Sequence, residues 1–400
     1  MNTLYSADRH EPVAGTPWDE ARAHEAIRWI VEKTEEEFSP DGVWTTHPLD
    51  IENGAPQYCL YFGACGVIWA LRYLKAQAGV ALTRDYAAAT QALLAPNRES
   101  MEQPAAKPFS SYMMGDTSIH MLAYSMHGDE DTASEIASLI QSNIHHPARE
   151  LMWGSPGTLL AAWFMHGHTG EERWARQFRD TADVLWSQLE WSEQEGCNFW
   201  SQDMYGQHSD YIDAVHGFVA TASPLIQGRR LLSEGDWAKW QACIANTIAR
   251  TAERDGDLAN WRARLSSPRG GPKLMQYCHG APGFVICLAD FPDGSLDELL
   301  IAGGEATWRA GPLRKGSNLC HGTGGNGYAF LKLHRRTGDA KWLERARAFA
   351  MHSIEQTERA YTTYGRMRNS LWTGDPGFAI YLLDCIRGGD RFPTLDTFFP

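Results

Sequence analysis

A glycine turn followed by an apolar run recurs seven times along this chain, and that repeat limits its fold more than any other feature. The copies are Tyr61-Phe62-Gly63-Ala64-Cys65-Gly66, Met113-Met114-Gly115-Asp116, Met152-Trp153-Gly154-Ser155-Pro156-Gly157 and Val215-His216-Gly217-Phe218. Cys278-His279-Gly280-Ala281-Pro282-Gly283, Cys320-His321-Gly322-Thr323-Gly324-Gly325 and Trp372-Thr373-Gly374-Asp375-Pro376-Gly377 complete the set. Leading glycines lie 52, 39, 63, 63, 42 and 52 residues apart, which suits one helical hairpin per copy with variable loops. A lone hairpin cannot bury its apolar face, so the copies must pack side by side, in an open solenoid or a closed ring. The uneven intervals and the reactive residues at the helix starts favour the ring. The expected fold is therefore all-α: an α/α toroid of seven inner and seven outer helices around a central cavity.

The intervals read as helices. After Gly325, Tyr328–Arg336 is followed by the turn Thr337-Gly338-Asp339 and then by Ala340–Gln356, in which Trp342, Ala346, Phe349, Ala350 and Ile354 keep helical spacing. After Gly157, a similar pair spans Thr158–Met165 and Glu171–Leu189. Small residues after the turns (Ala64, Ser155, Ala281, Thr323) let inner helices approach closely. Strand-like alternation is nearly absent, and no Pro/Ser-rich linker divides the chain. Residues 1–400 read as one domain, with 1–20 an extension free to be flexible.

Net charge is −13 and no Lys/Arg-rich run occurs, which argues against nucleic acid or an anionic membrane as partner. No apolar stretch approaches the roughly 20 residues of a membrane span, and Met1–Gly15 lacks the apolar core of a signal peptide. Eight cysteines without a secretory signal point to thiol or metal chemistry in a reducing, cytoplasmic setting.

The chemistry gathers in Tyr277-Cys278-His279-Gly280 and Leu319-Cys320-His321-Gly322, whose cysteines are 42 residues apart. Both place Cys-His in the same frame ahead of a glycine turn. A lone Cys-His pair is more often a buried thiol beside a satisfied histidine. Two in register favour a metal, and a catalytic zinc site uses three such ligands and keeps one position open.

These two motifs, and the seven glycine turns in order, resemble those of the lanthionine synthetase C-like proteins over nearly the whole chain. The resemblance implies the α/α toroid, a Zn²⁺ ion, and Cys278, Cys320 and His321 as its ligands, with His279 set aside from the metal. It implies addition of a thiol to dehydroalanine or dehydrobutyrine, with His216 as the proton donor to Cα. From the residues alone, His216 is equally a structural histidine capping its turn. Glu150 stands where cyclases of the family carry a catalytic aspartate, and would orient or deprotonate the incoming thiol or be merely solvated. Tyr277, where many members have tryptophan, is expected to line the pocket. Lys315 matches a lysine that the stand-alone members associate with glutathione; its bland reading is a solvated basic loop. Arg366 and Arg368 are further candidate anion contacts.

The leading expectation is a zinc-dependent transferase adding glutathione or another thiol to dehydroamino-acid-containing peptides or proteins. One alternative is a lanthipeptide cyclase closing thioethers within a precursor peptide; another is a non-catalytic zinc- and glutathione-binding adaptor. A sugar-processing toroid is a third, but it calls for paired carboxylates or histidines rather than two rim cysteines.

Overall fold

A computed structural model describes residues 4–39, 43–101, 107 and 109–399. Each glycine turn opens a helix: Ala64–Ala78, Asp116–His127, Ser155–Thr169, Phe218–Gln227, Ala281–Leu288, Thr323–Thr337 and Asp375–Arg387. The reason is local. In five copies a second glycine stands three residues after the first, where the loop folds back over the opening turn of the helix. A Cβ at Gly157 would stand 2.5 Å from the Leu151 carbonyl oxygen, and one at Gly325 would collide with that of Leu319. Each such oxygen belongs to the residue six positions earlier, so only glycine lets the turn close this tightly.

The predicted helices are present and run longer than expected, Glu172–Ser187 excepted. Thr323–Thr337 is joined to Ala340–Tyr364 through Gly338, and Ser155–Thr169 to Glu172–Ser187 through Gly170. Both glycines are left-handed caps, with φ of 70° and 72°. The apolar stripe Trp342, Ala346, Phe349, Ala350 and Ile354 is buried, as its spacing predicts. The helix expected between the first and second turns is split into Ala87–Gln91 and Leu94–Ser100. Pro96 lies in the first turn of the second piece, where its missing N–H costs least.

By its contacts the chain divides into two compact units. The first comprises residues 4–8, 107, 109–112 and 136–310; the second comprises 9–39, 43–101, 113–135 and 311–399. In the first unit the helices after the third, fourth and fifth turns pack in a row. In the second the row runs sixth, seventh, first, second, so the last inner helix lies beside the first. Glu20–Glu36 packs against Asp375–Arg387 as its outer partner. The described part of the N-terminal extension is tied down within each unit. The Leu4 carbonyl accepts from Asn260 at 2.6 Å in the first. In the second, Glu11 accepts from His352 at 2.7 Å.

Three two-stranded hairpins went unanticipated: Glu190–Ser192 with Cys197–Phe199, Gln202–Met204 with Gln207–Ser209, and Glu253–Asp255 with Leu258–Asn260. Strands of three residues are too short to display alternation; only their turn glycines, Gly196, Gly206 and Gly256, mark them in the sequence. Among the described residues no helix is long and apolar enough to cross a membrane.

Candidate functional site

The residue four positions before a leading glycine organises its turn. Glu150 accepts the backbone N–H of Met152 at 2.9 Å and of Trp153 at 2.6 Å. Asp213 accepts those of Val215 at 3.0 Å and His216 at 2.7 Å. Asn318 and Ser370 do the same for His321 and Thr373. These side chains satisfy donors that a tight turn would otherwise leave buried and unpaired.

In the third and fourth turns this capping group is a fully buried carboxylate, and it does a second job. Glu150 Oε2 lies 2.9 Å from Nδ1 of His216, the residue just before the next leading glycine. Asp213 Oδ2 lies 2.6 Å from Nδ1 of His279, in the same relation one turn further on. Both couples span 66 residues of sequence. The Tyr211 ring lies against both imidazoles, at centroid distances of 5.5 Å from His216 and 6.2 Å from His279. The Arg264 guanidinium lies 4.2 Å from the centroid of the same Tyr211 ring. The His216 and His279 rings stand 6.5 Å apart. Each buried carboxylate thus holds two backbone donors and one imidazole, which fixes the ring and directs Nδ1 inward. Glu150 is enclosed and fully engaged, so its geometry is that of an orienting group and not of a base reaching a substrate thiol.

Cys278 lies in this unit, 7% exposed, and its Sγ accepts from Gln276 Nε2 at 2.9 Å. Tyr277, expected on a pocket wall, is instead fully buried, and its hydroxyl donates to the Ala214 carbonyl at 3.1 Å. That bond makes it a strut between the fourth and fifth turns.

In the second unit backbone hydrogen bonds stitch successive turns two residues before each glycine. Cys320 N–H donates to Trp372 O at 2.8 Å, Trp372 N–H to Tyr61 O at 3.1 Å, and Tyr61 N–H to Met113 O at 3.1 Å. The Tyr61 hydroxyl, held in this row, donates to Cys320 Sγ at 2.8 Å. The His321 ring takes no hydrogen bond from the described residues and lines a cavity of about 560 Å³. Lys315, Arg366 and Arg368 line the same cavity.

Those three cations are not equivalent. Arg368 is committed to Asp50 through two bonds of 2.8 and 2.5 Å, with both side chains nearly buried. Arg366 donates to the Thr45 carbonyl at 2.9 Å, while its buried Nε has no partner among the described residues. Lys315 is exposed, with no carboxylate paired to it among the described residues. On the same wall, burial and then the Arg368 and Arg366 guanidiniums push His47 down to about 4. Burial pushes Asp375 up to about 6 against the opposing Arg368 N–H.

Among the described residues no three His, Cys, Asp or Glu side chains are grouped as a ready metal site. Cys278 belongs to the first unit, and Cys320 and His321 to the second. Their individual surroundings nevertheless fit zinc. Each sulfur accepts a hydrogen bond, as a thiolate ligand does, and the imidazole has no competing partner among the described residues. None of the eight cysteines is disulfide-bonded.

Sequence reasoning passed over Asp213, Tyr211, Gln276 and Tyr61. Asp213 left one signal: it occupies the frame of Glu150, four before its glycine. Tyr61 carries no local mark, since Cys320 comes from another turn, and Gln276 and Tyr211 carry none although Cys278 and His216 lie only two and five residues on.

The sequence matches the family model described as lanthionine synthetase C-like protein over residues 19–397. It is 30% identical over 212 residues to the LanC-like protein GCL1 of Arabidopsis thaliana, covering 51% of this chain and 46% of that relative. It is 28% identical over 255 residues to a protein of Danio rerio named glutathione S-transferase LANCL1, covering 62% of each. The matched stretches therefore span less than two thirds of either relative. Among solved structures, nisin cyclase matches with a TM-score of 0.59 at 14% identity, over 91% of this chain and 93% of that one. That likeness speaks for the fold, and with the helical content it establishes the all-α toroid class.

Proposed function

Because this chain belongs to the lanthionine synthetase C-like family, we propose that it adds a thiol, glutathione in the first instance, to dehydroalanine or dehydrobutyrine residues of peptides or proteins. The observation that carries the reading is the Glu150–His216 couple, a buried carboxylate holding one imidazole nitrogen.

In the reaction the S–H bond breaks, a C–S bond forms at Cβ, the C=C π bond is lost and Cα takes a proton. Cys278, Cys320 and His321 are the residues that would hold Zn²⁺, which when bound would supply the acidity to ionise the thiol at neutral pH. With Nδ1 turned to Glu150, His216 exchanges its proton through Nε2, and Glu150 stabilises the imidazolium without itself leaving its turn. The Asp213–His279 couple holds the residue beside Cys278 in place. Lys315, with Arg366 beside it, supplies positive charge for the carboxylates of glutathione.

Incubating the zinc-loaded protein with glutathione and a dehydroalanine-containing peptide tests this reading by mass spectrometry. The expected product is heavier by one glutathione; with a cysteine also placed in the peptide, a product of unchanged mass that no longer reacts with added thiols would mean cyclisation instead. Glutathione binding without turnover over a panel of such peptides would mean an adaptor. About one zinc per chain is expected, lost on Cys278→Ala or Cys320→Ala.

A further inference from the structure

Tyr205 sits in an unlikely place for an aromatic residue. With Gly206 it forms the two-residue turn of the Gln202–Met204/Gln207–Ser209 hairpin, and both have positive φ, 53° and 70°. A turn of this kind favours Asn, Asp or Gly at its first position, because a side chain there strains the backbone. Tyr205 is nonetheless half-exposed, while its hydroxyl is held by Trp153 Nε1 at 2.7 Å. The ring meets Trp153 edge to face, with centroids 6.3 Å apart, and that contact still leaves half of the side chain open to solvent.

The hairpin is fastened to the third glycine turn. Asp203 N–H donates to the Pro147 carbonyl at 3.1 Å, and Arg149 donates to Ser201 O at 2.6 Å and to the Asp203 carboxylate at 3.2 Å. At its other end Gln202 brackets the backbone of Tyr211, accepting from its N–H at 2.7 Å and donating to its carbonyl at 3.3 Å. The loop holding Glu150 and the aromatic ring lying against His216 are thereby fixed to one rigid ribbon. Tyr205 stands at its tip, at a set distance from the Glu150–His216 couple.

We propose that Tyr205 is a specificity-determining residue that receives the acceptor, a peptide segment carrying a planar α,β-unsaturated amide. This rests on the function proposed above and adds to it the side from which the acceptor is recognised. A dehydroamino acid and its flanking amides form a flat conjugated surface. A half-exposed phenol held at its hydroxyl and ring edge by Trp153 offers such a surface an apolar face at little entropic cost. It offers no charge, so it discriminates the acceptor and not the anionic thiol donor.

Calorimetric titration with a dehydroalanine peptide, its alanine counterpart and glutathione, on wild type, Tyr205→Asn and Tyr205→Phe, tests the assignment. Tyr205→Asn suits the turn, which offsets the lost contact with Trp153, so its thermal midpoint should stay close to that of wild type. Its affinity for the dehydroalanine peptide should fall about three- to tenfold, glutathione binding should not change, and Tyr205→Phe should stay close to wild type. Equal peptide affinity in wild type and Tyr205→Asn overturns the proposal, as does equal wild-type affinity for the dehydroalanine and alanine peptides. If the affinity difference holds but no thioether forms with glutathione, the assignment of the acceptor side stands and the proposed transfer reaction falls.

Discussion

The two compact units treat charge in opposite ways. In the first, each buried carboxylate near the glycine turns is matched by an imidazole and two backbone donors. In the second, the cavity beside His321 gathers cations and neutralises only some of them, committing Arg368 to Asp50 while leaving Lys315 exposed. A matched, buried couple suits a group that must present one proton at one nitrogen. Surplus positive charge on an open wall suits an anionic ligand whose contacts can form and break. Closeness to a candidate site is thus a weaker guide to role than whether a charge is already satisfied.

The contrast is tested most severely by His216→Asn, expected to lower kcat by about 10²- to 10⁴-fold with zinc content and glutathione affinity preserved. An unchanged rate removes the couple from the chemistry. Glu150→Gln should show a smaller loss of rate together with some loss of stability, because the amide has one acceptor oxygen for two backbone N–H groups and stabilises an imidazolium poorly.

Arg368→Ala should act chiefly on stability. Removing one partner of a nearly buried pair costs about 3–5 kcal/mol, and chemical denaturation should show Arg368→Ala/Asp50→Ala recovering part of it. If Arg368→Ala instead weakens glutathione binding and leaves stability alone, the division of labour among the cavity cations is wrong. Lys315→Gln is expected to do what Arg368→Ala does not. It should raise the KM for glutathione about three- to tenfold, with the difference shrinking at high salt and the thermal midpoint unmoved.

The smallest effect is a pH dependence with two opposing parts. His47 is held near 4 by burial and the neighbouring guanidiniums, so the unfolded chain binds its proton first. Its contribution to stability is present above about 6.5 and is lost as pH falls towards 4. Asp375 is raised to about 6 by burial, so its contribution is present below about 3.8 and is lost as pH rises through 6. Thermal midpoints measured from pH 4 to 7 should show His47→Gln gaining on wild type in acid. Asp375→Asn should gain on it towards neutrality. Parallel curves would mean that neither group titrates as its surroundings require.

Much of the first unit's site was legible one residue at a time. His216 and Glu150 could each be picked out by its frame within a glycine turn, but nothing in the sequence says that one holds the other, 66 residues away. The same register hides the bond between Asp213 and His279. Its sequence position marks Tyr277 as a pocket residue beside the candidate ligand Cys278, yet the fold buries the tyrosine fully and engages its hydroxyl with Ala214. The three hairpins escaped because their strands are shorter than the period that would reveal them.

What the sequence by itself determined was the series of glycine turns and the helix each one opens. In five of the seven that requirement is local: the second glycine must admit a carbonyl oxygen only six residues behind it, where a Cβ would collide. The paired cysteine–histidine frames belong to the same local register. Only the tertiary structure decided which charges are spent and which are spare. Asp50 reaches Arg368 across 318 residues, while no described carboxylate reaches Lys315. A side chain's charge is a property of the sequence, but its neutralisation depends on the neighbours that folding brings within a few ångströms.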